Sequence, residues 1–291
     1  MGKELEGSLG KLATMKVLIL GSTGMLGSMV LDYLSTKSLD VTAPLRKDLD
    51  KVRFDKYDYI INCIGIIKQK LTDPKKAILI NSLFPYTIAE KAPRAKIIQI
   101  ATDCVYSGRI GNYTEDNELD PTDIYGKTCS LGEVEAKNFY NIRTSIVGPD
   151  RNSKVSLLEW FLSQKKRATV KGYVNHFWNG ITTLHFAKLC CTLIEKKRCV
   201  PNHLHFVPAD IVSKHKLLTI FAEKFNRKDI RIKEWFQADV GINRSLHTIH
   251  GQVNNGLWKD MGYKSPLSIE QMVGELAEYI KNRNFYETPK R

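Results

Sequence analysis

Residues 16–27, KVLILGSTGMLG, set a short apolar run directly against three evenly spaced glycines. The run KVLILG lacks the polar alternation of a strand with one wet face, so it reads as a parallel strand buried on both sides. Gly21, Gly24 and Gly27, with Ser22, Thr23, Met25 and Leu26 between them, then turn the chain into an amphipathic helix over residues 25–35. Strand, glycine-rich turn and helix in that order form the context of a dinucleotide site. The glycines permit a tight turn and close backbone approach, and the helix start offers N–H groups to a pyrophosphate. All seven residues of the turn are therefore assigned to cofactor binding.

Working outward, residues 39–44 read as the next strand, followed by Arg46 and Lys47. An acidic residue at that strand end would hold the ribose hydroxyl of NAD, whereas a basic one accommodates the phosphate of NADP. NADP is expected, with NAD as the alternative because Asp48 is adjacent. Residues 57–61 read as a strand ending in Asn62, Cys63, Ile64 and Gly65; 74–91 as a helix; 96–101 as a strand ending at Ala101; 125–139 as a helix; and 141–147 as a strand. This alternation predicts an α/β fold, a Rossmann-type doubly wound parallel sheet whose ligands gather at the strand carboxyl ends. Cys63, Ile64, Gly65 and Ala101 fall on that edge and join the cofactor set. The expected dinucleotide-binding domain covers 15–150 and is rejoined by elements near 181–197. A smaller C-terminal substrate-binding part comes from 151–180 and 198–291. Residues 1–14 lack the apolar core of a secretory signal and read as a leader or tag, with Met15 opening the fold.

Composition narrows the class. Among 291 residues, 44 Lys and Arg face 31 Asp and Glu, a formal net charge of +13. The basic residues are spread along the chain without interleaved aromatics, so solvated faces and attraction of an anionic small molecule are expected rather than nucleic acid. No apolar run approaches the ~20 residues of a membrane span. Six cysteines without a CxxC pair point to a reduced, cytoplasmic chain. Cys190, Cys191, Cys199, His203 and His205 depart from paired zinc-ligand spacing, and the adjacent cysteines read as core thiols, so no metal is expected.

The ordered set GSTGMLG (21–27), ATDCVYSG (101–108), YGKT with LGE (125–133) and IRTSIVG (142–148) resembles the extended short-chain dehydrogenase/reductase superfamily. More narrowly, it is similar to the dTDP-4-dehydrorhamnose reductase family of sugar-nucleotide reductases. The resemblance implies an NAD(P)H-dependent reductase of a nucleotide-activated 4-keto-6-deoxy sugar in deoxysugar and surface-polysaccharide synthesis. It implies Thr102 as the hydroxyl bonding the substrate carbonyl and Tyr125 as the general acid. Asp103, Val105, Arg143 and Trp178 fall on the sugar pocket by the same likeness, which also leaves a homodimer open. Arg244, between Asn243 and Ser245, reads either as a phosphate ligand or as a surface ion-pair residue.

One position departs from the family pattern. Four residues after Tyr125, where the family carries a lysine that binds the nicotinamide ribose and lowers the tyrosine pKa, this chain has Cys129. Lys127 lies about 200° around the helix from Tyr125 and points elsewhere. Lys68 could reach in from a loop, although a solvated loop lysine is the simpler reading. Two function classes follow: a reductase weakened at this position, and a nucleotide-binding regulatory or scaffold relative. Retention of both Thr102 and Tyr125 favours the enzyme.

Overall fold

The computed structural model describes residues 14–238 and 241–287, so all but the last residue of the expected leader lies outside the described residues. Five strands, β1 (Lys16–Leu20), β2 (Asp40–Thr42), β3 (Tyr59–Asn62), β4 (Lys96–Ala101) and β5 (Phe139–Arg143), join the strand His203–His205 in one sheet. Every pairing is parallel, and the order across the sheet is β2, β1, β3, β4, β5, His203–His205. Among the described residues nine α-helices accompany them: α1 (Met25–Leu34), α2 (Pro74–Ala77), α3 (Phe84–Lys91), α4 (Ile124–Ser130), α5 (Leu157–Leu162), α6 (Thr183–Glu195), α7 (Lys214–Lys224), α8 (Gly251–Asp260) and α9 (Ile269–Asn282).

The unbroken apolar strands are explained by burial on both faces. Val17 and Ile19 enter one core with Met29 of α1 and Ala187 of α6, while Leu18 and Leu20 enter a second with Ile88 of α3. The sheet order reverses between β1 and β3, so their carboxyl ends diverge and open a crevice. Gly21 turns the chain there with φ +80°, and a Cβ would meet the Cys63 backbone at 3.0 Å. Gly27 is tighter, its Cβ position lying 2.2 Å from the Gly21 carbonyl oxygen, so only glycine lets α1 start against β1. No helix among the described residues is long and apolar enough to cross a membrane.

Three elements differ from expectation. The helix expected over 125–139 ends at Ser130, because Gly132 must pass close to the Asn81 carbonyl, where a Cβ would come within 1.9 Å. The helix expected over 74–91 contains a π-helical segment, Ile78–Leu83. Pro85 has no N–H for the Asn81 carbonyl four residues back, and that carbonyl is the one Gly132 covers. The strand expected over 141–147 breaks after Arg143. Ile146–Val147 leaves the main sheet and pairs with Ile181–Thr182.

Within the expected substrate-binding part, 198–291, the strand His203–His205 extends the main sheet beside β5. Outside that sheet, His176–Trp178 pairs with Val212–Ser213 and Ile242–Asn243, and Thr169–Tyr173 pairs with Arg231–Trp235. Cys190 and Cys191 are buried on α6 as core thiols, and Cys199 is exposed beside Lys96.

Gly27→Ala should cost about 1–3 kcal/mol of stability, the usual penalty for overpacking. Urea unfolding of wild type and variant measures it, and equal midpoints would contradict the close approach.

Candidate active site

A cavity of about 520 Å³ opens at the carboxyl edge of the sheet. One side is the α1 start, with Gly24, Met25 and Leu26. Gly24 caps α1 without a side-chain hydrogen bond, and no acidic residue stands in the first turn, so the free N–H groups of that turn suit an anion. A Cβ on Gly24 would meet only the Gly21 carbonyl at 3.4 Å, and one on Gly65 only Asn81 Oδ1 at 3.6 Å. Neither glycine is demanded by neighbouring atoms, and both line the cavity, which leaves room for a ligand to lie against the backbone. These features fit a dinucleotide pyrophosphate.

The loop after β3 is held by amides. Buried Asn62 donates to Gln99 Oε1 at 2.7 Å and accepts from the Ile64 N–H at 3.1 Å. Asn81 accepts from the Ile66 N–H at 2.8 Å and donates to Thr128 Oγ1 at 3.3 Å, tying this loop to α4. Asn81 was missed in the sequence. Its only signal there was the nearby Pro85, which marks a disturbed helix.

Thr102 ends β4, its hydroxyl donating to Asp103 Oδ1 at 3.2 Å and accepting from the Cys104 N–H at 3.1 Å. The helix carrying Tyr125 is seated on the turn Asp103–Val105 by Gly126, whose Cβ would lie 2.2 Å from the Cys104 carbonyl oxygen. Asp123 caps that helix by accepting from the Gly126 N–H at 2.9 Å. In this seat the Tyr125 hydroxyl interacts with Thr102 and Cys129. Burial, reinforced by Cys129 and Cys104, raises the Tyr125 pKa well above its ordinary value, and Thr102 opposes this. Burial likewise pushes the Cys129 thiol up to about 12, so this residue supplies no charge at neutral pH.

The assigned residues Gly24, Met25, Leu26, Cys63, Ile64, Gly65, Ala101, Thr102, Asp103, Tyr125, Cys129, Trp178 and Arg244 all line this one cavity. The others do not. Gly21, Ser22, Thr23 and Gly27 shape the turn behind it. Arg46 and Lys47 are exposed beyond β2. Val105 is fully buried in a small core with Tyr106 and Tyr113, because its turn packs inward. Arg143, expected in the sugar pocket, is instead locked in a buried pair with Glu133 at 2.6 Å and donates to the Tyr106 hydroxyl at 2.9 Å. Lys127 is exposed, and Lys68 pairs with Asp123 at 2.8 Å. A further cation, Lys214 at the start of α7, lines the cavity and was not read from the sequence. A lysine opening an amphipathic helix carries no signal that it turns inward.

Comparison with known proteins follows this geometry. The family model described as RmlD substrate binding domain matches residues 15–241. The spore coat polysaccharide biosynthesis protein SpsK of Bacillus subtilis is 35% identical over 150 residues, covering 45% of this chain and 53% of that protein. A dTDP-4-dehydrorhamnose reductase of Mycolicibacterium smegmatis is 30% identical over 149 residues, covering 45% of this chain and 46% of its own. The chain thus spans about half the length of the curated relatives it matches. The crystal structure of dTDP-4-dehydrorhamnose reductase from Bacillus anthracis in complex with NADP superposes with a TM-score of 0.74 at 17% identity, covering 92% of this chain and 99% of that one. At that identity the likeness is one of fold.

Arg143→Met should destabilise the protein by about 3–5 kcal/mol, because Glu133 would remain as an unpaired buried charge. Chemical denaturation tests this. A variant of native stability that loses only ligand affinity would return Arg143 to the sugar pocket.

Proposed function

We propose, from the premise that the chain belongs to the RmlD substrate binding domain family, that it is a nicotinamide-dependent oxidoreductase of a nucleotide sugar in polysaccharide synthesis. The finer reading is an NADPH-dependent reductase of a nucleotide-activated 4-keto-6-deoxy sugar. The observation that carries it is the convergence of the α1 start, the Cys63–Gly65 loop, Thr102 and Tyr125 on one cavity.

Gly21, Gly24 and Gly27 let the backbone around Ser22, Thr23, Met25 and Leu26 approach a pyrophosphate. Arg46 and Lys47 lie beyond β2, where they would meet an adenosine phosphate, and this supports NADP over NAD. The structural relative from Bacillus anthracis carries NADP. Cys63, Ile64, Gly65 and Ala101 form the wall beside the nicotinamide end. Asp103, Trp178 and Arg244 face the sugar nucleotide.

When bound, the dihydronicotinamide supplies a hydride to the carbonyl carbon. The chain's own residues handle the oxygen. Thr102 donates to the carbonyl oxygen as negative charge develops, and Tyr125 donates its phenolic proton to the same atom. Because burial holds Tyr125 neutral, it is suited to giving a proton and unsuited to taking one. That asymmetry favours reduction over reactions that begin by oxidising an alcohol, epimerisation included. Cys129 removes the ammonium that would ease the proton's departure, so turnover is slow by comparison with a lysine-bearing site. The same observation favours a second reading, a relative that binds NADP and nucleotide sugars without turnover.

The test follows NADPH oxidation with dTDP- and UDP-4-keto-6-deoxy sugars. Tyr125→Phe should lower the rate about 10²–10⁴-fold, the scale of a lost general acid, and Cys129→Lys should raise it toward the upper part of that range. No turnover in wild type or Cys129→Lys, with NADPH still bound, selects the second reading.

The pH dependence has a definite sign. The donor is the protonated phenol, and a raised pKa keeps it protonated to higher pH, so wild type should show no alkaline fall between about pH 6 and 9. A nearby ammonium lowers the phenol pKa, so Cys129→Lys should bring an alkaline fall toward that window. Superimposable profiles would show that position 129 does not govern the tyrosine.

A further inference from the structure

Four cationic side chains line the cavity, and they divide into two kinds. Lys68 is paired with Asp123 at 2.8 Å and Lys70 lies 3.8 Å from Asp150. Lys214 and Arg244 have no such partner. Among the described residues the Lys214 ammonium makes no hydrogen bond and no ion pair, although it is half-buried and feels Asp103 and Cys104. Arg244 spends its Nε on the Tyr106 carbonyl at 2.8 Å, and its two terminal nitrogens carry no further bond among the described residues.

The backbone that carries Lys214 and the stem of Arg244 are both held in place. Ser213 caps α7 by accepting from the Lys216 N–H at 3.2 Å, which fixes the first residue of that helix. The Arg244 stem packs on Gly108, where φ is +86° and a Cβ would meet Arg244 Cγ at 2.9 Å. Among the described residues Asp103, itself hydrogen-bonded by Thr102, acts on both cations. The other carboxylates nearby are engaged, Glu133 with Arg143, Asp150 with Ser153 and Lys70, and Asp123, which also acts on Arg244, with Lys68. Lys214 and Arg244 thus share the one carboxylate that no other cation holds in an ion pair. A half-buried ammonium without a protein partner has donors to spare, and an anion entering the cavity accepts from them in charge-assisted hydrogen bonds.

We propose that Lys214 Nζ and the terminal nitrogens of Arg244 form an oxyanion subsite that takes a phosphate or carboxylate group of the nucleotide sugar. The inference rests on the reading of this cavity as a nucleotide-sugar site and assigns Lys214, which that reading leaves without a role. The fork of Arg244 supplies a planar pair of donors and Lys214 a point charge beside it. Both sit by the Asp103–Tyr106 segment that follows β4, Arg244 bonded to the Tyr106 carbonyl and Lys214 acting on Asp103 and Cys104, whereas the cofactor's pyrophosphate is assigned to the α1 start. The anion is therefore the substrate's.

The experiment is calorimetric titration of the full chain and of Lys214→Met with thymidine diphosphate, UDP-glucose, UDP-glucuronate and inorganic pyrophosphate, with NADPH as the control. Methionine keeps the stem and removes the charge; should it fail to fold, Lys214→Gln is read in the same way. Loss of a charged hydrogen bond corresponds to weakening by about 10–100-fold, with NADPH affinity unchanged. Equal loss for thymidine diphosphate and UDP-glucose identifies the anion as the diphosphate. Loss confined to UDP-glucuronate identifies a ring carboxylate. Unchanged affinities for all four probes overturn the subsite, as does a wild type that binds NADPH and none of them. Conversely, Lys214-dependent probe binding by a protein that never takes up NADPH sinks the reductase reading and leaves the subsite standing.

Discussion

The close approach of Gly126 to the Cys104 carbonyl is the constraint on which the site depends. With a Cβ position only 2.2 Å from that oxygen, any larger residue would lift α4 off the turn that follows β4. Tyr125 precedes this contact and Thr102 precedes the turn, so the one approach sets the distance between the two hydroxyls. Asp123 fixes the helix start from the other side through the Gly126 N–H. Thr128 and Gly132 then lock the far end of α4 against Asn81. Thr102 and Tyr125 are thus placed by backbone packing and need no long helix behind them.

What this packing creates is a half-buried tyrosine beside two thiols. Desolvation dominates its pKa, and the neighbouring thiols of Cys129 and Cys104 add to the rise. Of the cations that line the cavity, Lys68 pairs with the residue that caps α4 and Lys70 lies beside Asp150, while the proposed subsite takes Lys214 and Arg244. In the proposed reaction the cavity's cations would serve binding and orientation, and proton donation would fall to a weak acid.

The nucleotide-binding half was legible in the sequence because its signals are local. An apolar run buried on both faces and glycines forced by close approach leave a mark within a dozen residues, as Val17–Leu20 and Gly21–Gly27 do. The rest depended on contacts between distant segments. The helix after Tyr125 is short because Gly132 meets Asn81, some fifty residues earlier. Arg143 looks like a free cation until Glu133 folds back upon it. Val105 shares a motif with Thr102 but turns into a core completed by Val207 and Leu246. Lys214 reads as a surface residue and becomes a cavity residue only because α7 packs beside the strand His176–Trp178. In each case burial decided the role, and burial at these positions is not periodic.

The central claim is that this cavity carries a hydride from a nicotinamide to a sugar nucleotide with Tyr125 as proton donor. Its most direct test is a single-turnover incubation of the full chain with NADPH deuterated on the transferring face and a dTDP-4-keto-6-deoxy sugar, followed by mass spectrometry of the sugar nucleotide. The account predicts deuterium at the former carbonyl carbon in wild type, at a rate that drops in Tyr125→Phe. Bound cofactor with all deuterium retained, in wild type and in Cys129→Lys alike, would contradict it.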